Sequence, residues 1–379
     1  MHALNDELGL LPREQHQAFY QVGGTLDWDA PSYLVRNADQ ALFEGLRRGE
    51  LCYVLDTRQV GKSSLLVRTA VRLLDQGIDI VQIDISKQGR NVTPESWYLG
   101  LLYQFTDQLS LWDTAEAFWE SHASFSPVQR WFETIRQVVL IGRERPLVAF
   151  LDEIDAVRGL PFSADEFFAS IRAVTQDQRS NSPSEPNAWR QLTFCFAGAA
   201  TPAQLTCDVR ATPFNIGTRI ELTDFTEQDA LPLAQGFAPA DSAQCGALIA
   251  QVVYWTGGHP YLTQRLCSEV ARAEATTPQQ VDQLCRETFL DRKARETDPN
   301  LHFVHERILQ DPENDRGALL RLYSTIRKGA SVRYDPTSNL ANTLRLAGLV
   351  TVSEGELRVR NRIYAEQFNP AWVQDSLRT

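Results

Sequence analysis

The sequence lacks the features that mark membrane-spanning and secreted proteins. It contains no run of about 18 apolar residues, so we expect no membrane span. Its N-terminus, Met-His-Ala-Leu-Asn-Asp-Glu, is acidic and has no apolar segment, which predicts that it is not a signal peptide. These absences predict a cytoplasmic location and no membrane partner.

Cysteine and histidine are sparse and unpatterned. The six cysteines form no C-x-x-C pair, which favours buried free thiols in a reducing compartment over disulfides or zinc. The six histidines form no H-E-x-x-H arrangement, so we predict no transition-metal site. Internal repeats and low-complexity segments are also absent from the sequence.

The composition is that of an ordinary globular protein. The 379 residues are 43% hydrophobic and 22% charged, and this length suggests two or three domains. A net charge of −11 argues against a protein that coats nucleic acid over its whole surface. Residues 316–379, however, carry ten Lys and Arg against five Asp and Glu, so the C-terminal part is locally basic.

The strongest motif begins with an apolar run, Leu51–Leu55, which predicts a buried strand. A polar loop follows, and Gly61-Lys62-Ser63 opens an amphipathic helix. This strand–loop–helix order is typical of a phosphate-binding loop, in which backbone N–H groups face the phosphates and the lysine supplies a positive charge. The alternative is a helix N-terminus with an exposed lysine. The predicted nucleotide-binding residues of the loop are Asp56, Thr57, Arg58, Gln59, Val60, Gly61, Lys62, Ser63 and Ser64.

The loop departs from the usual G-x-x-x-x-G-K-[ST] pattern at Asp56, which replaces the first glycine. Aspartate tolerates left-handed backbone better than most residues, so the turn is expected to survive. Its carboxylate would be unfavourable beside a triphosphate unless it points away or pairs with Arg58. If the loop is disabled, the chain would be a nucleotide-free scaffold with a degenerate P-loop.

A second apolar run, Pro146–Leu151, ends in Asp152-Glu153. After a P-loop, this pattern predicts the second half of an ATPase site, with Mg²⁺ held by Ser63 and Asp152. Glu153 would orient or deprotonate the attacking water, and Lys62 would complete the catalytic set. The alternative reading of Asp-Glu after a strand is a solvated helix start.

Four further residues are weaker candidates for nucleotide contact. Tyr33 or Arg36, before the first strand, could stack on or hydrogen-bond to the adenine, or could be packing residues. Thr201 follows another buried strand, Gln191–Gly198, and could sense the γ-phosphate or cap a helix at Pro202. Pro260 lies in Trp255-Thr-Gly-Gly-His-Pro260 and could offer an apolar surface to the base, or belong to a helix–helix turn.

Strands alternate with helices up to about residue 225, which predicts an α/β P-loop NTPase core with a parallel sheet in three layers. We divide the chain into an N-terminal arm (1–24), a P-loop ATPase core (25–225), a helical lid (226–293) and a winged-helix domain (294–379). The last assignment rests on three predicted helices followed by a hairpin. Winged helices bind DNA or pack on protein, and Arg358, Arg360 and Arg362 are the candidate contacts to DNA or a partner.

The motifs together resemble the bacterial AAA-like domain family over about Gly23 to Leu377. They are Arg-Gln-x-Gly-Lys-Ser-Ser-Leu, Leu-Asp-Glu-Ile-Asp, Thr-Pro-Phe-Asn-Ile-Gly, Trp-Thr-Gly-Gly-x-Pro, and Ala-Gly-Leu-Val with Asn-Arg-Ile-Tyr. The family is similar to multidomain signal-transduction ATPases and to archaeal ATPases related to origin-recognition proteins. Where these relatives carry Gly-Arg before the first strand, this chain has Val35-Arg36.

The resemblance implies a nucleotide switch built from an ATPase core, a lid and a winged helix, with ATP and Mg²⁺ as ligands held between core and lid. It places the lid motif at Gly258, His259 and Pro260. Family members are often fused to repeat or effector domains, and here we expect the output to come from an unknown protein partner or from the winged helix. A nucleotide-dependent homo-oligomer is a further possibility. We therefore predict a slowly hydrolysing ATP switch in signalling, with an ATP-gated DNA-binding regulator as the alternative.

Overall fold

The computed structural model describes residues 19–179, 187–206, 208, 212–237, 241–291, 293–310 and 315–378. Most of the predicted N-terminal arm, residues 1–18, lies outside these ranges. The described residues form two compact units. The first comprises Val35–Asp56 and Lys62–Leu222, and the second comprises residues 19–34, Thr57–Gly61 and residues 223–378.

The first unit is built on a five-stranded parallel sheet, which confirms the predicted fold class. Its strand order is β2-β3-β4-β1-β5, so β1 and β3 both pair with β4. The fifth strand has only two residues and lies beside β1. The strands are β1 (Cys52–Leu55), β2 (Asp79–Asp84), β3 (Leu147–Asp152), β4 (Leu192–Gly198) and β5 (Thr218–Arg219).

Local sequence signals explain where several helices of this unit begin. Thr93 caps α3 by accepting a hydrogen bond from Ser96 N–H, and Pro94 follows at the first helical position. Ser126 and Gln129 form a capping box at the start of α5. The helices are α1 (Asn37–Arg47), α2 (Lys62–Asp75), α3 (Pro94–Asp107), α4 (Trp112–Ser121), α5 (Pro127–Thr134, continued by a π-helical turn at Ile135–Leu140), α6 (Asp165–Arg179) and α7 (Pro202–Leu205).

The described residues of the second unit are mainly helical and include an antiparallel hairpin. Three of its helices, α13 to α15, precede the hairpin, which is the order expected for a winged helix. The helices are α8 (Glu227–Ala230), α9 (Ser242–Thr256), α10 (Pro260–Arg272), α11 (Pro278–Cys285), α12 (Ala294–Thr297), α13 (Pro299–Leu309), α14 (Arg316–Arg327), α15 (Asn339–Leu346), α16 (Arg362–Gln367) and α17 (Pro370–Arg378), and the strands are β6 (Val350–Ser353) and β7 (Glu356–Val359). In the described part of the chain, no helix is both long and apolar enough to cross a membrane.

Each unit has its own hydrophobic core. In the first, buried aromatic and aliphatic side chains of the sheet meet those of α3, α5 and α6. In the second, a single buried cluster runs from Leu248 through Tyr261 and Leu301 to Trp372. The predicted lid and winged helix therefore share one core.

The double glycine before α10 allows two backbone segments of the second unit to approach closely. Gly257 and Gly258 both have positive φ, and a Cβ on Gly258 would lie 1.8 Å from Phe225 O. Phe225 N–H also donates to Gly258 O at 2.9 Å. The group that these glycines admit is therefore the backbone of the chain itself.

The arginines assigned to the wing have three different environments. Arg360 is buried and makes a bidentate ion pair with Asp224. Its Nε donates to Oδ2 at 2.8 Å, and its Nη2 donates to Oδ1 at 2.7 Å. Arg358 is half exposed and pairs with Glu356 on the hairpin, while Arg362 lies over the Tyr254 ring. The assignment of Arg360 to a DNA or partner contact is therefore wrong, because its guanidinium is committed to Asp224.

This difference gives a stability test. Replacing Arg360 by Ala leaves Asp224 without its buried partner and should destabilise the second unit by about 3 kcal/mol. The matched control, Arg358→Ala, removes an exposed pair and should cost less than about 1 kcal/mol. Thermal or urea unfolding of both variants measures the difference, and equal losses would contradict the burial argument.

Candidate nucleotide-binding site

The candidate site of the first unit lies at the carboxyl ends of parallel strands. Lys62 and Ser63 begin α2 after β1, Asp152 ends β3, and Thr201 follows β4. Because these strands are parallel and adjacent, the loops that follow them meet at one edge of the sheet. The predicted core residues of the site are therefore brought together.

Ser63 and Asp152 are in direct contact. Ser63 Oγ donates to Asp152 Oδ2 at 2.9 Å, and Glu153 N–H donates to the other carboxylate oxygen at 2.8 Å. Burial raises the pKa of the Asp152 carboxyl, and these two hydrogen bonds oppose that shift. The two residues predicted to bind Mg²⁺ are thus already paired across 89 positions of sequence.

Lys62 is nearly buried, with 8% of its surface exposed, so the alternative of an exposed lysine is wrong. Its Nζ donates to Asp56 O at 3.0 Å. Burial lowers the pKa of its ammonium group, and four surrounding carboxylates oppose this shift. Those carboxylates belong to Asp56, Glu153, Asp152 and Asp155.

The irregular loop position Asp56 does not need left-handed backbone. The left-handed residues of the loop are Gln59, with φ of 60°, and Gly61, with φ of 89°. Asp56 instead extends β1, and its N–H donates to Gly198 O at 3.1 Å. This loop therefore does not require the left-handed backbone that would favour a glycine at position 56.

Glu153 has an unusual backbone. Its φ of 52° and ψ of 40° place it in the left-handed region, which a non-glycine residue adopts at a cost of about 1 kcal/mol or more. Such conformations cluster at functional sites. The turn directs the chain from β3 into a 3₁₀-helical segment, Ile154–Gly159.

Thr201 precedes α7, and its N–H donates to the Gln204 side chain at 3.1 Å. Its hydroxyl is buried, and no described residue forms a hydrogen bond with it. A buried hydroxyl without a partner is costly, and a ligand oxygen would satisfy it. Thr201 and Gln204 form a capping box at the start of α7, which agrees with the capping interpretation, and contact with the γ-phosphate remains a prediction.

The tip of the loop, Thr57–Gly61, packs within the second unit. The Arg58 guanidinium lies 5.0 Å from the centre of the Phe303 ring, and Gln59 Oε1 accepts a hydrogen bond from Asn300 Nδ2 at 2.8 Å. Thr57 and Val60 are buried, as is Ser64 in α2. None of these partners could be inferred from the loop motif.

The three remaining candidates have local structural roles. Tyr33 N–H closes a turn on Ala30 O, and Arg36 N–H donates to Asp39 at the start of α1. Pro260 is the first residue of α10 and is buried. Their contact with a base remains a prediction.

Sequence reasoning assigned no role to Asp155. Its Oδ1 accepts a hydrogen bond from Ala199 N–H at 2.7 Å, which joins the segments that follow β3 and β4. The signal in the sequence was the second aspartate of Leu-Asp-Glu-Ile-Asp. Nothing local in that motif specifies its partner, which lies 44 positions away.

The sheet order and the Lys62–Ser63–Asp152 arrangement define a P-loop ATPase fold. Two solved structures are similar in fold over nearly the whole chain. The Walker-type ATPase PABY2304 of Pyrococcus abyssi has a TM-score of 0.55 and 16% identity, covering 95% of this chain and all of that one. The ORC2 protein of Aeropyrum pernix, solved in ADPNP–ADP complexes, has a TM-score of 0.51 and 12% identity, covering 97% and 99%.

The chain belongs to the AAA-like domain family, whose sequence model matches residues 21–370. A WD repeat-containing protein of Synechocystis is 38% identical over 374 residues, which is 94% of this chain. The chain spans only 30% of the length of that relative. The resemblance stated from the motifs is therefore confirmed.

The unpartnered hydroxyl of Thr201 gives a test that needs no ligand. Thr201→Val should change the free energy of unfolding by less than about 1 kcal/mol, because no hydrogen bond is lost. The control is Thr106→Val, which removes a buried hydrogen bond from Thr106 Oγ1 to Leu102 O at 2.8 Å. That control should cost about 1 kcal/mol, and a larger loss at Thr201 in denaturant unfolding would contradict the assignment.

Proposed function

We propose that this protein binds Mg²⁺ and ATP, hydrolyses ATP slowly, and acts as a molecular switch in signalling or regulation. The observation that carries the proposal is the Ser63–Asp152 hydrogen bond beside the buried ammonium of Lys62. Lysine at a helix N-terminus, a neighbouring hydroxyl and a carboxylate at the end of an adjacent strand are the groups that this chemistry requires.

The residues present fit a magnesium nucleotide. Ser63 and Asp152 would hold the ion, which when bound neutralises phosphate charge. Among the described residues, no group of three or more His, Cys, Asp and Glu could hold a metal ion alone. This agrees with Mg²⁺, which takes most of its ligands from water and phosphates.

The remaining groups have distinct roles in the proposal. Lys62 stabilises negative charge on the phosphates, and phosphate in turn favours the charged form that burial disfavours. Glu153 orients or deprotonates the attacking water. The free Thr201 hydroxyl donates to the terminal phosphate, which satisfies its buried hydrogen-bonding capacity.

A switch needs an output, and the matched relative suggests one. That relative is a WD repeat-containing protein, of which this chain corresponds to 30%. We propose that the chain acts on a protein partner or an attached repeat domain, and that bound nucleotide favours one arrangement. A nucleotide-dependent homo-oligomer and a cytoplasmic location are part of the same proposal.

DNA binding is the weaker alternative. The excess of five positive charges over residues 316–379 supports it. Arg360 does not support it, because this side chain is buried against Asp224. Mutation of Arg358 together with Arg362 should lower DNA affinity if this alternative holds, and that affinity should fall steeply with salt.

Lys62→Ala should abolish ATP binding, since it removes the one positive side chain buried at the start of α2. We expect at least about a hundredfold loss of affinity, in line with the loss of a charge-assisted contact. The control is Lys87→Ala, at an exposed lysine of the same unit. Titration with a fluorescent ATP analogue measures both, and no binding by the wild type would support the scaffold interpretation.

Glu153→Gln should keep ATP binding and lose turnover, because the amide preserves size but cannot accept the proton of the attacking water. We expect turnover to fall by about a hundredfold or more, as for a lost general base. Phosphate release under saturating Mg-ATP measures it. Equal turnover in wild type and variant would refute Glu153 as the base.

A further inference from the structure

One peptide group, between Gly198 and Ala199, joins three loops of the first unit. Its carbonyl accepts from Asp56 N–H, at the start of the phosphate loop, at 3.1 Å. Its N–H donates to Asp155 Oδ1, in the segment that follows β3, at 2.7 Å. The loops after β1, β3 and β4 are therefore connected through this single amide.

The packing around this peptide leaves little freedom. A Cβ on Gly198 would lie 2.7 Å from Ile154 Cγ2 and 2.8 Å from Asp155 Oδ1. Only glycine allows the segment after β3 to approach so closely. Ala199 and Ala200 are buried next to it, and Thr201 follows directly.

We propose that Asp155 is a positioning residue for ATP hydrolysis. It holds the Ala199 N–H and thereby fixes the backbone that carries Thr201 relative to the Asp152–Glu153 turn. This inference rests on the proposed ATPase function and names a residue to which that function had given no part. Asp155 acts through the backbone and does not itself contact the reacting atoms.

A competing explanation is electrostatic, because Asp155 is one of the four carboxylates near Lys62. Two substitutions of Asp155 distinguish the positioning explanation from the electrostatic one. Asp155→Asn removes the charge but keeps an Oδ1 acceptor for Ala199 N–H. Asp155→Ala removes both the charge and the acceptor.

The test compares wild type, Asp155→Asn and Asp155→Ala in hydrogen exchange at the Ala199 amide, in ATP affinity and in kcat. In Asp155→Ala, exchange should rise by about tenfold or more, since a charge-assisted hydrogen bond is lost. Its kcat should fall by about tenfold to a hundredfold while the Kd for ATP stays within about threefold, as expected for misplaced catalytic groups. Asp155→Asn should remain close to wild type in all three.

Three results would overturn the proposal: unchanged exchange at Ala199 in Asp155→Ala, equal loss of kcat in the Asn and Ala variants, or a loss of ATP affinity as large as the loss of kcat. If Asp155→Ala does not fold, Gly198→Ala replaces it, because its Cβ would push the same segments apart while Asp155 stays intact. That variant should show the same selective loss of kcat. If wild type itself does not hydrolyse ATP, the proposed function fails, and the exchange comparison of the same variants still decides whether Asp155 holds Ala199.

Discussion

The parallel pairing of β1 and β3 with β4 is the constraint on which the site depends. In this register, Leu55 lies opposite Gly198, and Leu151 opposite Phe196, so the three strands end at nearly the same level. The residues that follow inherit that alignment. The sheet therefore places Lys62, Asp152 and Thr201, which are far apart in the sequence, at one of its edges.

Local signals explain what the sequence could predict. Apolar runs mark β1, β3 and β4, and the capping residues Thr93 and Ser126 mark the starts of two helices. Helix α4 was not predicted, since its first turn follows Leu111, which offers no side-chain cap. The role of Asp155 could not be predicted for a different reason: it depends on a backbone N–H that follows another strand.

Arg358 and Arg360 show that a charge pattern in the sequence does not predict which basic side chains are exposed. They are two positions apart and alike in sequence, so one basic surface was the natural prediction. Residues two apart on a strand share a face, yet Arg360 follows the last residue of β7 and turns to Asp224. Whether a basic side chain is a surface charge or half of a buried pair is decided by a partner that lies 136 positions away.

The packing of the loop tip bears on how the chain can be divided. Thr57–Gly61 belongs to the second unit, whereas the residues on either side of it belong to the first. A fragment that stops near residue 225 would keep the whole loop but lose Phe303 and Asn300, the packing partners of Arg58 and Gln59. Such a fragment would carry the motif without its native support. A nucleotide-binding measurement on that fragment would therefore not report on the loop in its native surroundings.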